Sequence, residues 1–92
     1  MKITVHYSAQ FQPAAGTARE CVEIDPPCTV QELVLGLAGE RRAALQTMLL
    51  DGQRGLRPHV LLCVRDEQIE WDRPAALRDG DEVLLLSPIS GG

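Results

Sequence analysis

The stretch "PPCTVQELVLGLAG", residues 26–39, constrains the fold more than any other part of the sequence. Pro26-Pro27 stops any preceding strand, and Thr29 followed three residues later by Glu32 is a capping box, in which each side chain satisfies a backbone N–H left open at a helix start. Val30, Leu33, Val34, Leu37 and Ala38 then fall at the i, i+3, i+4, i+7, i+8 spacing of a single apolar stripe. Gly39 is expected to end the helix in the left-handed conformation. A shorter helix is predicted in "ERRAALQTMLL", where Ala44, Leu45, Met48 and Leu49 share a face. One full amphipathic helix has no equal partner to bury its stripe, so it requires a sheet.

The strands of that sheet are legible by alternation. In "KITVHY", Ile3, Val5 and Tyr7 face one way and Lys2, Thr4 and His6 the other. "QPAAGT" supplies turn residues, and "ARECVEID" alternates again with Val22 and Ile24 on one side and Cys21 and Glu23 on the other, so a β-hairpin opens the chain. "HVLLCV" reads as a strand, "RDEQ" as a tight turn, "IEW" as a short return strand, Asp79-Gly80 as a turn and "EVLLLS" as the last strand. The fold class is α+β, with no repeats or low-complexity segments.

At 92 residues and 45% hydrophobic content the chain fits one domain, read as residues 1–87 with residues 88–92 as a flexible C-terminal tail. A net charge of −4 with scattered basic residues argues against nucleic acid as a partner. No apolar run reaches the ~20 residues of a membrane span, and the expected location is cytoplasmic. Cys21, Cys28 and Cys63 show neither disulfide nor metal spacing and are expected to be small buried hydrophobes. His6 and His59, both in strand-like stretches, have no motif linking them to a cysteine nucleophile. Asp66, Glu67, Asp79, Asp81 and Glu82 read as solvated turn residues. No metal-binding, P-loop or dinucleotide motif is present, so the chain is not expected to be an enzyme or to bind a cofactor or metal.

Two features point to a surface with a purpose. Val83, Leu84, Leu85 and Leu86 run without interruption, as do the residues around Cys63, so both faces of these strands are apolar although one helix covers only one face. Parity assigns Val83 and Leu85 to the core, and makes Leu84 and Leu86, continuing through Pro88 and Ile89, a partner-docking set. Pro88 cannot donate to a ladder and so ends pairing. Beyond it Gly91 and Gly92 carry no side chains, and nothing prevents this segment from threading a narrow channel to present the Gly92 carboxylate.

"TVQELVLGLAG" and "LRDGDEVLLLSPISGG", with this order of elements, resemble the MoaD/ThiS family of ubiquitin-like sulfur carriers. Gly80, Asp81, Glu82 and Val83 match the family's Gly-Asp-Glu-Val, and Gly91-Gly92 its terminal diglycine. The resemblance implies a β-grasp fold, with a mixed sheet, one main helix on one face and a free diglycine tail. It also implies a protein substrate: a partner adenylyltransferase, using its own ATP and Mg²⁺, would activate the Gly92 carboxylate as an acyl adenylate. Sulfur from a persulfide donor would then give a Gly92 thiocarboxylate. An acceptor enzyme, such as the molybdopterin synthase large subunit, would take that sulfur.

The chain departs from the family's pattern in having Arg65-Asp66 where many members have Asn or Asn-Gly, and leucines where many have aromatics. The segment "DGQRGLRPH" points away from the thiamine-type carriers, towards molybdopterin synthase small subunits or carriers for cysteine synthesis. Two further readings use the same residues: a modifier that ends in isopeptide bonds to lysines, and a ubiquitin-like module that only docks.

Overall fold

The computed structural model describes residues 1–39, 42–53 and 55–87. The expected tail, including Pro88, Ile89, Gly91 and Gly92, lies outside the described residues. In chain order the elements are β1 (Lys2–Tyr7), α1 (Gln12–Ala15), β2 (Arg19–Glu23), α2 (Val30–Leu37), α3 (Ala43–Leu49), β3 (Leu61–Val64), β4 (Glu67–Gln68) and β5 (Glu82–Leu86). The five strands form one sheet in the order β2-β1-β5-β3-β4. β1 and β5 run parallel at its centre, with Val5 opposite Val83 and Tyr7 opposite Leu85, and every other pairing is antiparallel. This mixed sheet with helices on one face is the ubiquitin-like β-grasp, as expected.

The core follows from the alternation. Ile3, Val5 and Tyr7 of β1, Leu62 and Val64 of β3, and Val83 and Leu85 of β5 are buried in one cluster with Val30, Leu33, Val34, Leu37 and Ala38. The whole predicted stripe of α2 is therefore inside. Leu45 and Leu49 of α3 join the same cluster, whereas Ala44 is exposed. The capping box is formed in full: the Glu32 N–H donates to Thr29 Oγ1 at 3.1 Å, and the Thr29 N–H to Glu32 Oε1 at 2.9 Å.

Several local expectations are corrected. Residues 12–15 form a helical turn that begins with Pro13 near its start and ends at Gly16 with φ 81°, a four-residue element too short to show a helical period in the sequence. Gly39 is not left-handed: α2 ends through Ala38 at φ −90° and ψ 39°, and a Cβ on Gly39 would meet the Gly36 carbonyl oxygen at 3.3 Å. The return strand is Glu67–Gln68 rather than "IEW", because Arg65 and Asp66 alone make the turn, with φ 53° and 64°. Such a two-residue hairpin needs positive φ at both central positions, which glycine or asparagine signals in a sequence and arginine does not. His59 lies in a turn, not a strand. Cys21 is exposed and Cys28 and Cys63 are only half-buried; all three are free thiols.

Two polar networks tie the layers together. Gln31, buried beside the apolar stripe, donates from Nε2 to the Arg73 carbonyl at 2.8 Å and the Glu70 carbonyl at 3.2 Å, while its Oε1 accepts from the Ala75 N–H at 3.1 Å. One side chain thereby holds the long loop before β5 against α2. In the second network Arg42 makes a bidentate pair with Glu20 at 2.7 and 3.1 Å, and the Tyr7 hydroxyl donates to Glu20 at 3.1 Å, joining β1, β2 and the start of α3. Burial, then the Glu20 carboxylate, push the Tyr7 phenol up to about 12 against the opposing pull of Arg42. Tyr7 is the single tyrosine of the chain, so absorbance at 295 nm reports it alone. The expected titration midpoint is well above the ordinary value of about 10, and Glu20→Gln lowers it. Because the folded-state value is raised, this contribution to stability is complete below pH ~10 and is lost as pH rises towards about 12.

Candidate docking face

The sheet face opposite α2 is built by the residues that alternate with the core. In β5 the burial pattern leaves Leu84 and Leu86 half-buried, in alternation with the fully buried Val83 and Leu85. The parity expected from the sequence therefore holds. Leu84 lies opposite Cys63, and Leu86 opposite Leu61, both half-buried in β3. These four form an apolar block across two hydrogen-bonded strands, where directly opposed side chains are close enough to share a surface. Sequence reasoning did not assign Leu61 or Cys63 to the docking face, although the uninterrupted apolar run around them carried the signal. Of the other expected partner-binding and reactive residues, Pro88, Ile89, Gly91 and Gly92 fall outside the described residues.

The block has a polar border on the side where β5 begins. His6 of β1 lies beside Leu84 in register, and its Nε2 is 2.7 Å from Glu82 Oε1. Next to them an open depression of about 480 Å³ is bordered by Leu84, His6, Glu82 and Arg65.

What fixes β5 at this end is Asp81, which the sequence presented as a solvated turn residue. Asp81 is 8% exposed. Its carboxylate accepts from the Arg78 N–H at 2.7 Å and pairs with the Arg65 guanidinium, and its carbonyl accepts from the Thr4 N–H at 3.1 Å. Burial opposes the charged form, but the Arg78 N–H and then Arg65 outweigh it, and hold the carboxyl below the usual carboxylate range. Asp79 completes the clamp by accepting from the Lys2 N–H at 2.7 Å. Gly80 turns the chain between them with φ 87°, a conformation open to glycine at little cost. At the other end of β5 the Ser8 N–H donates to the Leu85 carbonyl at 3.0 Å and the Ser87 N–H to Ser8 Oγ at 3.2 Å, so the last described residue is tied to the sheet.

The arrangement presents an apolar strand face held rigidly at both ends. Among the described residues there is no cluster of three or more His, Cys, Asp or Glu placed to hold a metal, and no helix long and apolar enough to cross a membrane.

A model of the ThiS family matches residues 5–92. Among solved structures, SAMP1 from Haloferax volcanii is 25% identical with a TM-score of 0.86, and 100% of each chain is covered. The putative molybdopterin converting factor, subunit 1, from Pyrococcus furiosus is 25% identical with a TM-score of 0.76, covering 97% of this chain and 99% of that one. The Amycolatopsis orientalis BexX/CysO complex matches at 23% identity and a TM-score of 0.71, covering 98% of this chain and 99% of that one, a likeness of fold.

Proposed function

The chain belongs to the ThiS family, and from that premise we propose that it is a sulfur carrier whose Gly92 carboxylate is the reacting group. The observation that carries this reading is that the family match runs through the diglycine, while the β5 face leading towards it keeps Leu84 and Leu86 half-exposed. A carboxylate is a poor electrophile, and a mixed anhydride with phosphate is a good one. A partner adenylyltransferase therefore joins the Gly92 carboxylate to AMP from ATP with Mg²⁺ and releases pyrophosphate. The outer sulfur of a persulfide donor then displaces AMP to form an acyl disulfide. A second thiol cleaves the S–S bond and is left in a disulfide with the donor, and the freed thiocarboxylate carries the sulfur to an acceptor synthase. The carrier is a cytoplasmic protein substrate with no chemistry of its own side chains. Likeness to the Pyrococcus furiosus subunit favours molybdopterin as the acceptor pathway over cysteine or thiamine synthesis. Likeness to SAMP1 supports a second reading, a ubiquitin-like modifier, which covalent conjugates on lysines of other proteins would reveal.

Incubation with ATP, Mg²⁺, the cognate adenylyltransferase, a persulfide donor and a thiol reductant is expected to raise the intact mass by about 16 Da as sulfur replaces oxygen. Leu86→Asp is expected to weaken docking about tenfold or more, at a stability cost of about 1 kcal/mol. No mass change with a cognate partner overturns the carrier reading. A Leu86→Asp chain that is activated at the full rate removes β5 from the docking surface.

A further inference from the structure

β2 is the only edge strand of more than two residues among the described elements, since β4 at the opposite edge has two. Which of its backbone groups face outward follows from the ladder with β1. Met1 and Ile24 exchange hydrogen bonds at 2.8 and 3.0 Å, and the Tyr7 N–H donates to the Ala18 carbonyl at 2.9 Å. Hydrogen-bonded pairs alternate in an antiparallel ladder, so Val22 and Glu20 point their N–H and C=O groups at β1, and Arg19, Cys21 and Glu23 point theirs away from the sheet. The side chains of these same three residues are exposed, and all lie on the open face.

We propose that β2 is a self-association edge, at which two copies of this chain pair antiparallel about a two-fold axis through Cys21 to form one continuous sheet. A shift of one residue would set outward groups against inward ones and put side chains on opposite faces, so only two-residue steps are allowed. Among those, the register centred on Cys21 alone places Arg19 opposite Glu23 of the other copy, and does so twice, while aligning all five residues of the strand. Opposite charges directly across an antiparallel pair are attractive, and like charges repel. On the helix side the same register sets Glu20 against Val22, and the Glu20 carboxylate is already satisfied by Arg42 within its own chain. In the single chain Thr17 Oγ1 donates to the Arg19 carbonyl at 2.7 Å and accepts from the Arg19 N–H at 3.3 Å, guarding one end of the edge. Pairing must displace that hydroxyl, which makes association weak and concentration-dependent, as natural edges usually are. Because a two-fold axis of this kind is perpendicular to the sheet, both Leu84 and Leu86 faces remain open on the same side. The inference is independent of the sulfur-carrier reading.

The register is tested by trapping. Directly opposed residues in a hydrogen-bonded pair have Cα atoms about 5.5 Å apart, inside the ~4.4–6.8 Å range of disulfides. In a Cys28→Ser/Cys63→Ser chain, diamide is expected to take two electrons and two protons from two Cys21 thiols, and to leave a linked dimer. Arg19→Glu and Glu23→Arg alone should each slow this linkage about tenfold, since each reversal acts twice across the axis, and the two together should restore it. In the unmodified chain the amides of Cys21 and Glu23 should shift with concentration in NMR spectra, with sedimentation showing a dimer by about 1 mM. A linkage rate indifferent to charge reversal means random collision and overturns the proposal. So does a monomer throughout with fixed amide shifts, which would leave this edge to a strand of a different protein.

Discussion

One residue added after Gly92 is expected to cut thiocarboxylate formation by at least about 100-fold, because a misplacement of ~1 Å at a reacting centre already costs that much. The added residue keeps both glycines, the whole of β5 and every buried side chain, since the described core is complete by Leu85. It moves the carboxylate about 3.3–3.6 Å along an extended chain. Stability should change by no more than ~0.5 kcal/mol, the usual bound for changes remote from the core. Gly91→Val should act in the same direction by obstructing the approach to the partner's active site. Binding to the adenylyltransferase should survive in both variants, because Leu84 and Leu86 are untouched. Intact-mass measurement of the sulfur-for-oxygen exchange decides the matter, with trimming back to Gly92 excluded in the same spectrum. An extended chain that still gains sulfur would defeat the mechanism. A chain that docks normally but never reacts, with or without the extension, would point to a module that only binds.

What was legible in the sequence is what short-range chemistry controls. The α2 start could be read because both halves of its capping box lie within four residues, and the β1 and β5 core sets could be read because alternation has only two phases. The parity of Leu84 and Leu86 followed from the same rule. Pairings between distant segments were a different matter. Nothing local indicates that β1 and β5 lie parallel at the sheet centre, or that Gln31 satisfies the carbonyls of a loop some forty residues away. The Tyr7–Glu20–Arg42 network has the same character: three unremarkable polar residues become a unit only when β1, β2 and α3 converge. Cys21 was misjudged because a small sulfur side chain is usually buried, whereas its place on the outward phase of an edge strand overrides that tendency.

Asp81→Ala is expected to cost about 1.5–3 kcal/mol, the largest stability loss for a residue that the sequence presented as solvated. Removing the carboxylate takes the acceptor from the Arg78 N–H in a part-buried hydrogen bond and releases Arg65. The loss comes more from the charge-assisted hydrogen bond between the Arg78 N–H and the buried carboxylate than from the ion pair, because Arg65 is 37% exposed and water replaces much of what that pair supplied. Arg65 matters in another way: at φ 53° it holds a left-handed conformation that an arginine adopts at a cost of roughly 1–3 kcal/mol, and its grip on Asp81 is what offsets that. Loss of the clasp should therefore loosen the β3–β4 turn and the start of β5 together, visible as faster amide exchange at Thr4, whose N–H is bonded to the Asp81 carbonyl at 3.1 Å. The pH dependence has a definite sign. The folded-state carboxyl is held below its usual value, so its contribution is complete above the unfolded value of about 3.9 and is lost as pH falls through the folded one. Asp81→Asn, which keeps the shape without the charge, should melt below the unmodified chain at neutral pH, and the gap should close progressively as the pH falls below ~4. A gap that stays constant into acid would mean the clasp works through shape alone. Equal melting temperatures at neutral pH would mean that Asp81 holds nothing, and that β5 is fixed by Leu85 and its neighbours.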